Sequence, residues 1–214
     1  MSLLNMKVAV LTGDLVGSRA AGDVNIAAAM EQLSRTAHKL DQNARFSRFR
    51  GDGWQMVLHE PNRALFATLL LLADLRASRL SIETRISVGI DGVQSFGTAN
   101  LSDASGDAFL RSGHGLDTLP RQKRLAITQC NPVLALWASA VFDYIEWQSR
   151  GWTVAQAEAI ATALRHPNET QKKLSVRLAI TRQAMQSRLT SAGWPSVQTA
   201  LAAFAGTTWD APND

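Results

Sequence analysis

Apolar positions along this chain change period several times, and each change marks an element. Residues 7–11 (KVAVL) form a short run rich in β-branched side chains ending at Thr12-Gly13. They predict a buried strand with Asp14 just past its end. Over 25–42, Ile26, Met30, Leu33, Ala37 and Leu40 recur at helical spacing. Residues 45–50 alternate around Phe46 and Phe49, Gly51-Asp52-Gly53 interrupts, and 54–58 resumes an apolar run, the pattern of a β-hairpin. Residues 61–79 predict a second helix with Pro61 in its first turn, and 83–90 (ETRISVGI) alternate as a strand. Strand, helix, strand, strand, helix, strand is the ferredoxin-like order. It predicts an α+β fold, an antiparallel sheet with helices on one face. A glycine-rich loop, a helix over 106–116, a strand over 124–128 and a helix over 132–148 follow.

From Gly151 the pattern turns almost entirely helical, with mostly basic and amide side chains. This divides the chain into a sheet domain over 1–130, a linker helix over 131–150 and a small all-α domain over 151–214. Thr153 and Gln156 have capping-box spacing. Asn168, with Gln171 three residues on, predicts a second cap, and a break at Ala179-Ile180 leads to Thr181 as a third. In the last helix Ala184, Met185, Leu189 and Ala192 face inward, leaving Arg182, Gln183, Gln186 and Arg188 outward. Two short helices about a tight turn make a helix-turn-helix, which sets the second helix in a DNA major groove. Arg and Gln suit guanine and adenine edges, and Lys172, Lys173 and Arg177 suit phosphates. A three-helix bundle that only packs or dimerises gives the same pattern with a solvated polar face.

Composition adds limits. Net charge is +4, compatible with nucleic acid or nucleotide binding without establishing either. The most apolar stretch, 64–75, is too short to span a bilayer, and residues 1–5 lack a signal-peptide layout, so a cytoplasmic location and no membrane partner are expected. The single cysteine, Cys130, allows no internal disulfide and reads as a small buried side chain with no charged neighbour. His38, His59 and His166 stand singly and suggest no metal set. Trp137, Trp147, Trp152, Trp194 and Trp209 read as packing anchors between linker helix and small domain.

Asp14 and Asp52 stand out by position. In a ferredoxin-like sheet the first strand and the hairpin are neighbours, so both carboxylates reach one edge, an arrangement that holds Mg²⁺ against nucleotide phosphates. Gly13, Gly17 and Ser18 are expected to offer backbone amides to phosphate. Equally, an Asp between two glycines is a turn signal with no chemistry attached, and Asp14 serves as a loop cap.

The segments LTGDLVGSRA, FRGDGWQ, ISVGIDGV and DASGDAFLRSGHGL, taken in order, resemble the SatD family of bacterial proteins. The same series is similar to a diverged class III nucleotidyl cyclase catalytic domain over 7–128, and SatD-like proteins similarly end in a helix-turn-helix. The resemblance implies that Asp14 and Asp52 are the two metal-binding aspartates and that Arg48 contacts a purine. It also implies a head-to-tail homodimer. In the cyclase pattern D-x-x-G-x-x-x-N-x-x-x-R, Asp103 and Gly106 match, but the Asn position is Leu110 and the Arg position is His114. Leucine donates no hydrogen bond and histidine is shorter than arginine. Each lost donor costs about 2.7–4 kcal/mol of transition-state stabilisation.

These readings combine into a regulatory protein that binds double-stranded DNA through its C-terminal domain and a nucleotide with Mg²⁺ through its sheet domain. The alternatives are a Mg²⁺-dependent nucleotide-processing enzyme, such as a divergent cyclase or phosphohydrolase, and a scaffold with neither ligand.

Overall fold

In the computed structural model, which describes residues 6–40, 45–49, 51–98 and 100–210 without the side chains of 18–20, five strands form one sheet in the order β2-β3-β1-β4-β5. The strands are β1 (Lys7–Val16), β2 (Arg45–Phe49), β3 (Gly53–Leu58), β4 (Glu83–Gly92) and β5 (Leu125–Gln129). Eight α-helices accompany them among the described residues: α1 (Ser18–Leu40), α2 (Ala64–Ala77), α3 (Asp107–Asp117), α4 (Ala135–Arg150), α5 (Val154–Arg165), α6 (Gln171–Arg177), α7 (Arg182–Ser191) and α8 (Trp194–Ala205). Of the expected elements' residues, Asp41, Gln42 and Arg50 lie outside the described ones, as do residues 1–5 and 211–214.

Three expectations are corrected. First, β1 does not stop at Thr12-Gly13 but runs to Val16, because its later residues are paired on both sides, Gly13 with Trp54 and Ile86, Asp14 with Gly53 and Arg85. Second, the sheet is mixed, since β5 joins β4 in parallel. A parallel neighbour needs a crossover, which α3 supplies. Third, helices cover both faces. Ala9, Leu11 and Leu15 of β1 share a core with α1 and α2, whereas Val8 and Val10 pack with Ala108 and Phe109 of α3. A continuous apolar run suits a strand buried on both faces.

α3 approaches the sheet closely because the strand beneath it carries glycine. A Cβ on Gly89 would stand 2.2 Å from the Ala108 carbonyl oxygen and 2.6 Å from the Ser112 nitrogen. On its far face α3 exposes Leu110 and His114 to solvent.

The C-terminal helices share the main core. Ile160, Leu164, Met185, Leu189 and Phe204 belong to the same cluster as the α2 leucines. The expected linker, α4, contributes Ala138, Phe142 and Ile145 to it. One polar contact ties these layers. Asp74 on α2, 6% exposed, accepts from the Thr36 hydroxyl of α1 at 2.6 Å and pairs with Arg165 of α5. A carboxylate this buried requires such partners.

The Thr153–Gln156 capping box forms, and Thr181 accepts from the Ala184 amide at 3.1 Å. The cap of α6 is Thr170 rather than Asn168, because the helix starts two residues later than the Asn-x-x-Gln spacing implied. Trp152 donates to the Ala192 carbonyl, and Trp137 stacks on and Trp209 tilts against Phe204, but Trp147 is 73% exposed and its ring meets only Tyr144 of its own helix among the described aromatic pairs. Cys130 is half-buried, its thiol 3.2 Å from the Trp209 carbonyl. Contrary to expectation it has a charged neighbour, the Lys7 ammonium.

Candidate functional sites

Antiparallel pairing sets Asp14 directly across from Arg85, on the same face of the sheet. Cross-strand neighbours lie about 5 Å apart at Cβ, within reach of a forked ion pair. The Arg85 Nε donates to Asp14 Oδ1 at 2.8 Å, and a terminal nitrogen of the same guanidinium bonds Oδ2. The Thr84 hydroxyl donates to the Asp14 backbone carbonyl at 2.8 Å. The carboxylate of Asp14 foremost, then the fields of Asp117 and Asp52, raise the Arg85 pKa further above its ordinary value, against a smaller opposing effect of burial. Asp52 sits at the hairpin tip beside this pair, its carbonyl 3.1 Å from the Leu15 amide.

The geometry therefore brings Asp14 and Asp52 to one end of the sheet, with the Asp14 carboxylate held by Arg85 of β4, the strand on the side of β1 away from the hairpin. Mg²⁺ requires a near-octahedral shell of oxygens, and all three oxygens of Asp14 accept hydrogen bonds from β4. No group of three or more His, Cys, Asp or Glu among the described residues is arranged to hold a metal. A Mg²⁺ at Asp14 would share its carboxylate with the Arg85 guanidinium.

The expected phosphate cradle is also built differently. Gly13 lies inside the sheet with the Trp54 ring against its Cα, so its amide faces a neighbouring strand. Gly17 turns the chain into α1 with φ +83°, a conformation that favours glycine. Ser18 begins α1, its side chain outside the described atoms.

A cleft of about 440 Å³ opens above β2 and β3, where α3 leaves the sheet uncovered. Phe49, Leu101 and Phe109 supply apolar walls, and Arg48, Gln55 and Asn100 supply polar groups. Arg45 and Ser47 hold its outer wall by donating to the Phe96 carbonyl and accepting from the Leu101 amide. Arg48 bonds the Gly51 carbonyl at 2.6 Å at the cleft rim. Asp103 does not line the cleft. Its carboxylate accepts from the Thr98 amide and hydroxyl, which lower its pKa. Gln55 continues inward to Thr12, and Thr12 to Ser112, a buried polar row that pattern reading missed.

On the other side of the molecule, α6 and α7 meet at the turn Leu178–Thr181, where Ala179 takes φ +52°. Lys172, Lys173, Thr181, Arg182, Gln183 and Gln186 are exposed. Two expected contacts are engaged internally. Arg177 forms a fork with Glu169 at 2.6 and 2.8 Å, which raises the arginine pKa and lowers the glutamate's. Arg188 is half-buried and pairs with Glu158 of α5 at 3.4 Å. The ion pairs formed among the described residues leave Lys172, Lys173 and Arg182 out.

No protein-family model matches the chain, and no curated protein matches it. Among solved structures, the chain is similar to a bacterial light-regulated adenylyl cyclase, at a TM-score of 0.39 and 14% identity, over 57% of this chain and 76% of that one. No helix among the described residues is long and apolar enough to cross a membrane.

The residue most clearly missed is Arg85. The predicted strands, 7–11 and 83–90, gave no signal for it: only with β1 extended to Val16 and β4 to Gly92 does antiparallel alignment set Asp14 against Arg85.

Proposed function

We propose that this protein is a DNA-binding regulator in which α6 and α7 form the helix-turn-helix and α7 enters the major groove. One observation carries the reading: Lys172, Lys173 and Arg182 lie exposed around a capped turn, outside the internal ion pairs. Unpaired cations are the ones that release counterions from phosphate on binding. Gln183 and Gln186 accompany Arg182 on the same exposed surface, and these side chains read base edges. Selection of the full chain against a random duplex library tests this. An enriched motif is expected, and Arg182→Ala and Gln186→Ala should each relax it at one position, by about 1–3 kcal/mol. A library that stays random, or a motif both variants retain, contradicts the assignment. The reading expects a two-fold homodimer on a two-fold operator. Exposed Leu136 and Trp147 on α4 support a self-association surface.

A second reading concerns the sheet domain. The cleft above β2 and β3 suits a planar, polar small molecule such as a nucleobase, with Phe49 and Phe109 against its faces and Arg48, Gln55 and Asn100 toward its edges. Thermal unfolding with ATP and GTP, repeated in EDTA, tests it. A shift lost in Asn100→Ala supports the reading, and no shift with either nucleotide counts against it.

A further inference from the structure

We propose that Arg85 is the permanent counter-charge of Asp14 and that this end of the sheet excludes divalent cations. Asp14 has two side-chain oxygens and one backbone oxygen, and β4 donates a hydrogen bond to each. An incoming cation must either approach a carboxylate already neutralised by a guanidinium or break a forked, charge-assisted pair, among the stronger hydrogen bonds in proteins. It must also shed its own water, which Mg²⁺ does reluctantly.

The displaced group has nowhere better to go. The Arg85 and Asp14 side chains are only 25% and 27% exposed, so a guanidinium released from its partner would regain its hydration incompletely where it stands. Asp52 and Asp117 add to the field that holds it. Arginine does not deprotonate in proteins, so no accessible pH removes the competing charge. The strand register makes the pairing structural, because Asp14 and Arg85 are opposed as Cα partners in a ladder of ten pairs between β1 and β4.

The consequence is chemical. Asp14 serves neither as a metal ligand nor as a free base, and any anion bound at this end meets a built-in cation. The inference rests on the Asp14–Arg85 geometry alone, and its test uses neither DNA nor nucleotide.

Mn²⁺ as the probe, followed by the loss of its free electron-spin-resonance signal on titration with the full chain, separates the outcomes. Wild type and Asp14→Asn should give the same titration. Arg85→Gln removes the charge and should gain saturable binding, at least about tenfold tighter than wild type, that is lost in Arg85→Gln/Asp14→Asn. Arg85→Lys keeps the charge and should resemble wild type. Saturable binding by wild type that Asp14→Asn abolishes overturns the proposal, whether or not the Arg85 variants fold. A folded Arg85→Gln, judged by circular dichroism, that gains no binding overturns it as well.

Discussion

At opposite ends of the sheet and on α2, Asp14, Asp91 and Asp74 are each tied to a cation from a distant part of the chain: Arg85, the Lys7 and Arg111 pair, and Arg165. On α6 and α7, Lys172, Lys173 and Arg182 have solvent around them. The side-chain types are the same, and burial separates their roles. A half-buried pair is weakly screened and fixes strands or helices in place, while exposed cations hold a field that falls off within about 10 Å in salt. Only the second kind is available to a phosphate backbone without cost to the fold. The Asp14 carboxylate is thus engaged by Arg85, whereas Lys172, Lys173 and Arg182 stand exposed outside the ion pairs among the described residues.

That contrast can be broken at its buried side first. Asp74→Ala leaves Thr36 and Arg165 without their shared acceptor and should destabilise the chain by about 3 kcal/mol, read as a lower urea midpoint. Gly89→Ala drives a methyl into the backbone of α3. The loss should be about 2 kcal/mol by the same measurement, with the second core, under α3, loosening first in hydrogen exchange.

Asp91→Asn tests the pairing by pH. Burial pushes the Asp91 carboxyl up, but Lys7, Arg111 and the Gly92 amide together hold it below its ordinary value. Its stabilisation is therefore complete above the ordinary carboxylate value of about 3.9 and is lost as pH falls through the lower folded value. The gap between wild type and Asp91→Asn, about 1.5 kcal/mol at neutral pH, should close across that acidic window. A gap that persists below it would mean the pairing is not what stabilises. The smallest change moves a residue from one class to the other. Glu169→Gln releases Arg177 from its fork and should steepen the salt dependence of DNA binding by about one contact, with little change in stability.

Local patterns were legible in sequence because local physics decides them. The hairpin around Gly51-Asp52-Gly53, the Thr153 capping box and the Thr181 cap each depend on a few adjacent residues. What pattern reading missed depends on partners far along the chain. Asp14 and Arg85 are separated by 71 residues and Asp74 and Arg165 by 91, so neither pair shows in a window. An aspartate inside ALFATLLLLADL does signal a buried partner, though not which one. The crossover of α3 to the second face was hidden for another reason: residues 8–11 of β1 are an unbroken apolar run, and a run without alternation does not say which side each residue faces.

The central claim, that the exposed cations of α6 and α7 bind DNA, is tested most directly by the salt dependence of duplex binding. The full chain and Lys172→Ala/Lys173→Ala would be compared by fluorescence anisotropy across salt concentrations. Wild type should bind at low salt with affinity falling steeply as salt rises, and the variant's slope should be shallower by about 1.8, or 0.9 per lost phosphate contact. No binding by wild type at low salt, or slopes that coincide, would contradict it.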